Sequence, residues 1–222
     1  MIVFLKNIPI KIPADLVLSR LKFAKYKTKA DKKIFAFISC VIEEGHSLAE
    51  PKAVYGIFDV AIEGDAVKFP EAKFAVKSNA LAKRLKGAGK AALFVCTIGK
   101  DLTDAVNGYV TKGEIARATV LDAAGSEAVE ALAGHIDNVI KAKAKAEGYA
   151  VTARFSPGYG DWTIFDQPKI LKVLMSDKIG VKAVKSCIMV PEKSVTACIG
   201  LIKKGQRPIR KVYEKNISPL KK

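Results

Sequence analysis

Histidine is nearly missing from this chain: only His46 and His135 stand in 222 residues. The four cysteines, Cys40, Cys96, Cys187 and Cys198, are scattered singly, with no C-x-x-C pair. Zinc sites need ligands at closer spacing, so a zinc centre is excluded. Each cysteine lies in an apolar run, as in FAFISCVI and ALFVCTI, and all four are expected as buried free thiols. There is one tryptophan, Trp162, and aromatics make up 8% of the residues. That is thin for a surface that stacks bases, and no helix-turn-helix or RNA-binding signature is present, which disfavours nucleic acid. No apolar run is long enough to span a bilayer, so no membrane partner is expected. The N-terminal MIVFLKNIPIKIP carries Pro9 and Pro13 and no small-residue cleavage site. It reads as an extended segment of a cytoplasmic protein and not as a signal peptide. No strand is followed by a G-x-G-x-G loop, which argues against a Rossmann-type site.

Lysine is what the chain has in excess. Lys and Arg number 38 against 22 Asp and Glu, a formal charge of +16. Such a field attracts nucleic acid, anionic membrane or an acidic protein, or it is a solvated surface with no partner. A chain of this length can bury one substantial core, perhaps two small ones.

The hydrophobic pattern predicts a helix over 14–25, behind Pro13, and a second capped by Asp31 and ended by Gly45. AVYGIFDVAI and AVKF flank Glu63-Gly64-Asp65 as a hairpin. Ser78 is placed to cap NALAKRLK, with Gly87 to end it. AALFVCTI, Ala91 to Ile98, is apolar on both faces and is expected to be a central strand. The preceding G-x-G-K lacks the strand–loop–helix order and the Ser/Thr of a phosphate loop, so it reads as a turn. A helix over 101–110 and a long helix from Gly113 to Gly148, rich in small residues, follow. Asp166 can cap a helix over 167–175. VKAVKSCIMV and SVTACIGLI read as two strands joined around Pro191, and 203–222 as a basic tail. Helices and strands mix without strict alternation. The expected class is α+β, a mixed, mainly antiparallel sheet packed with several helices, in a single unit over 1–222.

The segment RFSPGYGDW, 154–162, carries the chemistry. Arg154 offers a planar fork of donors for a carboxylate or phosphate. Tyr159 offers a flat face and a hydroxyl. Pro157-Gly158 lets the backbone turn sharply and lets a ligand lie against it. By themselves these residues are read first as a plain turn, its tyrosine on the core and its arginine paired with a neighbouring acid, because such turns are common.

This loop resembles that of the C-terminal activation (reactivation) domain of cobalamin-dependent methionine synthase and its free-standing homologues. The family's R-x-x-P-G-Y is matched by Arg154, Pro157, Gly158 and Tyr159. Its S-x-x-M-x-P-x-x-S-V is matched by Ser186, Met189, Pro191, Ser194 and Val195. TIGKDL and LDAAGSEAVEAL are also similar. The likeness is strong over 97–201 and faint over 1–90. It implies a subunit that binds S-adenosylmethionine and supports reductive methylation of cob(II)alamin held by a partner. The partner would be a methionine synthase or other corrinoid protein, with flavodoxin or ferredoxin as electron donor. Carried over by position, the ligand contacts would be Glu130, Arg154, Ser156, Pro157, Gly158 and Tyr159. The chain departs from the family in continuing Gly160-Asp161-Trp162 after the loop, and Asp59 is the one candidate for the family's N-terminal acid. It has no D-x-H-x-x-G, the cobalt-ligating signature, so cobalamin is expected only on a partner. The competing reading is a basic, non-enzymatic binding module for nucleic acid or an acidic protein, whose loop is structural.

Overall fold

The computed structural model describes residues 2–23 and 32–205. The predicted Asp31 cap, the end of the predicted first helix and the tail beyond Gly205 lie outside the described residues. The central sheet has five strands in the order β1-β2-β6-β10-β7, every neighbouring pair antiparallel. These are β1 (Ile2–Lys6), β2 (Lys52–Asp59), β6 (Lys90–Thr97), β10 (Ser194–Lys203) and β7 (Tyr149–Val151). Strand β6 lies in the middle, as its two-sided apolar pattern requires. Alternation divides its side chains between two cores. Ala92, Phe94 and Cys96 face one, and Ala91, Leu93 and Val95 face the other.

Helices cover the first face: α1 (Ala14–Arg20), α2 (Lys32–Leu48), α4 (Asp101–Thr111) and α5 (Ile115–Ala146). Helix α5 has 32 residues, about 48 Å of helix. Its buried small residues Ala118, Ala124, Gly125 and Ala128 bring neighbouring elements close. A Cβ on Gly125 would meet Leu102 Cδ2 of α4 at 2.5 Å. The second face carries a three-stranded meander, β3 (Ala61–Glu63), β4 (Ala66–Phe69) and β5 (Phe74–Lys77). With it pack α3 (Asn79–Arg84), α6 (Gln167–Val173) and Trp162. A two-stranded hairpin, β8 (Lys182–Ala183) and β9 (Met189–Val190), completes the fold.

The mixed, mainly antiparallel α+β class is therefore the one read from the sequence. The Gly64-Asp65 turn joins β3 to β4, and the Ser78 hydroxyl caps α3 by accepting from the Leu81 N–H at 3.0 Å. Several local expectations are corrected. Helix α1 ends at Arg20. Gly45 does not end α2, which runs on to Leu48. Gly45 is instead a crossing point, where a Cβ would lie 3.5 Å from Ala124 of α5. VKAVKSCIMV is not one strand. Cys187 takes a left-handed φ of 65° and its N–H donates to the Val184 carbonyl, so the chain reverses between β8 and β9. Asp166 makes no side-chain cap; it lies in a 3-10 turn and pairs with Lys169 at 2.7 Å. Helix α6 ends at Val173, and Met175 turns left-handed. Cys40 is exposed; the other three thiols are buried. Among the described residues, no helix is long and apolar enough to cross a membrane.

Candidate functional site

The loop after β7 crosses the edge of β10 and opens a cavity of about 420 Å³. Phe155 fixes its start through paired backbone hydrogen bonds with Cys198 of β10, at 2.9 and 2.8 Å. From there the chain makes a tight reversal. Gly158 has φ 92°, a conformation that side chains resist, and its N–H donates to the Trp162 carbonyl at 2.7 Å. Trp162, 1% exposed, anchors the far end in the second core and stacks on Phe155 at 6.0 Å. Tyr159, between these anchors, is pushed outward and is 66% exposed.

The departure from the family loop has a clear structural role. The Asp161 carboxylate accepts hydrogen bonds from the Ser78 hydroxyl at 2.5 Å and from the backbone N–H groups of Asn79 and Ala80 at 2.8 and 3.0 Å. It thereby ties the loop to the start of α3. The Ser78 hydroxyl, followed by these backbone donors, holds the Asp161 carboxyl at about 2, well below the usual carboxylate range.

Five of the six expected contact residues line the cavity: Glu130, Arg154, Ser156, Pro157 and Tyr159. Gly158 shapes the turn and does not line the wall. Glu130, from α5, and Arg154, from the loop, form an ion pair through Oε2 and Nη2. The Arg154 Nη1 is buried without a hydrogen-bond partner. Both charges are felt by the Cys96 thiol on β6: burial pushes it up to about 12, Arg154 pulls it down and Glu130 pushes it up.

The second matched block reaches the same place from the other side of the fold. Met189, Ser194 and Val195 line the cavity; Ser186 and Pro191 do not. The Ser194 hydroxyl donates to the Pro191 carbonyl at 2.7 Å and lies 2.9 Å from Thr97 Oγ1. Lys193, almost buried, ties this turn to α5 through Ser126 Oγ at 3.0 Å and Asp122 at 2.6 Å. Sequence reasoning missed Arg84, Phe155, Gln167 and Thr196, which also line the wall. Gln167 is a rigid part of it: its amide donates to the Cys187 carbonyl at 2.9 Å and accepts from the Thr196 hydroxyl at 3.0 Å. Phe155 lay inside the quoted loop; the other three had no local signal. Asp59 is remote. Along β6, Lys90 lies opposite Asp59 and Thr97 opposite Ser194, seven residues apart, about 23 Å. Asp59 pairs instead with Lys90 at 3.6 Å.

Among the described residues no group of three or more His, Cys, Asp or Glu is arranged to hold a metal ion. The cavity's means are a carboxylate, two guanidinium groups, aromatic faces, a thioether and fixed polar groups. That set suits a small molecule carrying charges of both signs and a flat ring.

No protein-family model matches the chain. No curated protein matches it either. Among solved structures, the crystal structure of the MetH reactivation domain bound to AdoHcy matches with a TM-score of 0.65 and 13% identity, covering 94% of this chain and 80% of that one. This chain has the fold of the methionine synthase reactivation domain.

Proposed function

We propose that this chain binds S-adenosylmethionine in the cavity between α5, the 154–162 loop and β10. In that reading it serves as a reactivation subunit for a cobalamin held by a methionine synthase or other corrinoid protein. The observation that carries the reading is the Glu130–Arg154 pair, brought from α5 and the loop onto one cavity wall beside the exposed Tyr159. S-adenosylmethionine presents a carboxylate, an ammonium, a sulfonium and an adenine ring. A carboxylate and a guanidinium side by side can re-pair with the two ends of its amino-acid group. The Tyr159 ring offers a face for the adenine. The cavity volume of about 420 Å³ lies within the usual range for small-molecule sites. The shared fold supports the reading, since the solved MetH reactivation domain is bound to AdoHcy.

When bound, S-adenosylmethionine would supply a methyl group to the partner's cobalamin, with one electron from a flavodoxin- or ferredoxin-like donor. This chain's own part is to bind and orient. Glu130 meets the cationic groups, Arg154 the carboxylate, and the loop backbone stays rigid between Phe155 and Trp162. Isothermal titration calorimetry with S-adenosylmethionine and S-adenosylhomocysteine tests the reading. Arg154→Ala removes charge-assisted hydrogen bonds worth about 1.5–3 kcal/mol, so affinity should fall roughly tenfold or more. Tyr159→Ala should weaken both ligands without unfolding the protein. Absence of binding by the wild type, or unchanged affinity in both variants, rejects the site and leaves the basic binding module.

A further inference from the structure

Nothing in the sequence marks Arg84, one of three basic residues in NALAKRLK. In the fold it reaches the cavity from α3, on the second face of the sheet. Its Cζ lies 5.5 Å from the centroid of the Phe155 ring. Among the described residues it has no carboxylate and no hydrogen-bond partner. A guanidinium resting on an aromatic face is held in place while its N–H edges stay free. Helix α3 is itself tied to the loop by Asp161, so Arg84 and Arg154 belong to one stapled unit.

The charges on the wall do not balance. Two guanidinium groups, Arg84 and Arg154, face one carboxylate, Glu130. One full set of donors on the wall is unused, that of Arg84. We infer that Arg84 and Arg154 together clamp the carboxylate at the amino-acid end of the ligand, leaving Glu130 for its cationic groups. This rests on the binding reading above and adds to it a specificity residue from outside the matched motifs. The clamp makes the site selective for adenosyl sulfonium and thioether ligands that keep their amino-acid end.

The test compares two probes that share the adenosine thioether. S-adenosylhomocysteine has the amino-acid end, and 5′-methylthioadenosine lacks it. Calorimetry of the wild type with both probes tests the binding reading itself: binding of neither rejects that reading and this inference with it. If S-adenosylhomocysteine binds, Arg84→Ala should weaken it about tenfold or more, change 5′-methylthioadenosine less than about twofold, and Arg84→Lys should recover part of the loss. Arg84 is exposed, so its thermal unfolding should match the wild type. Equal losses for both probes would make Arg84 a prop for Phe155 and overturn the clamp, as would an unchanged affinity for S-adenosylhomocysteine.

Discussion

Ser78 and Asp161, 83 residues apart, share a hydrogen bond of 2.5 Å at the start of α3. The serine caps its own helix while donating to the carboxylate that ends the 154–162 loop. With the Asn79 and Ala80 N–H groups it joins the second-face helix to the loop.

That contact makes loop anchoring pH-dependent. The Asp161 carboxyl titrates at about 2 in the folded chain and at about 3.9 when unfolded. A depressed pKa means stability that is present above the unfolded value and lost as pH falls through the folded one. Asp161→Asn should lower the melting temperature at pH 7. The gap to the wild type should hold down to about pH 4 and shrink between about pH 4 and 2. A gap independent of pH in circular-dichroism melts would remove the carboxylate charge from the account.

Glu130 and Glu127 sit one turn apart on α5 and should respond differently. Glu130 faces Arg154 on the cavity wall. Glu127 is buried and pairs with Arg20 of α1 at 2.6 Å. Glu130→Gln should weaken S-adenosylmethionine with little change in stability. Glu127→Ala should cost about 1–2 kcal/mol, discounted because Arg20 is half exposed, with little change in affinity. Urea melts and calorimetry on both variants check this; a reversed pattern would place the wrong glutamate at the ligand.

Two glycines of the same helix make opposite predictions. Gly134→Ala meets nothing within 4 Å and should stabilise by about 0.5–1 kcal/mol through helix propensity. Gly125→Ala drives a methyl to 2.5 Å from Leu102 Cδ2, and Leu102 is fully buried. Overpacking of about 1–3 kcal/mol should outweigh the propensity gain. Chemical denaturation that ranks the two variants the other way would contradict the close approach of α4 and α5.

Thiol chemistry reads the cores directly. Cys40 is exposed, while burial pushes Cys96 up to about 12 and Cys198 upward as well. The native protein should therefore show Cys40 as its fast-reacting thiol with Ellman's reagent, and all four cysteines should react in denaturant. Loss of the fast phase in Cys40→Ser identifies it; its persistence would mean a second thiol is open.

The one-dimensional pattern determined part of what depends on near neighbours. Alternation over Ala91–Thr97 set β6 between two cores, and the serine before NALAKR set the cap of α3, because burial periodicity and capping act within a few residues. Arg154 and Tyr159 were legible because their motif is contiguous. Tertiary structure alone decided the rest. Gly45 looked like a helix end but serves a helix crossing, since a glycine's purpose depends on what it meets. The Cys187 reversal carries no Gly or Asn to announce it. Arg84, Gln167 and Thr196 reach the cavity from α3, α6 and β10, and no spacing in the chain encodes that meeting. It follows from how two layers pack on one sheet, which brings residues more than 100 positions apart to one wall.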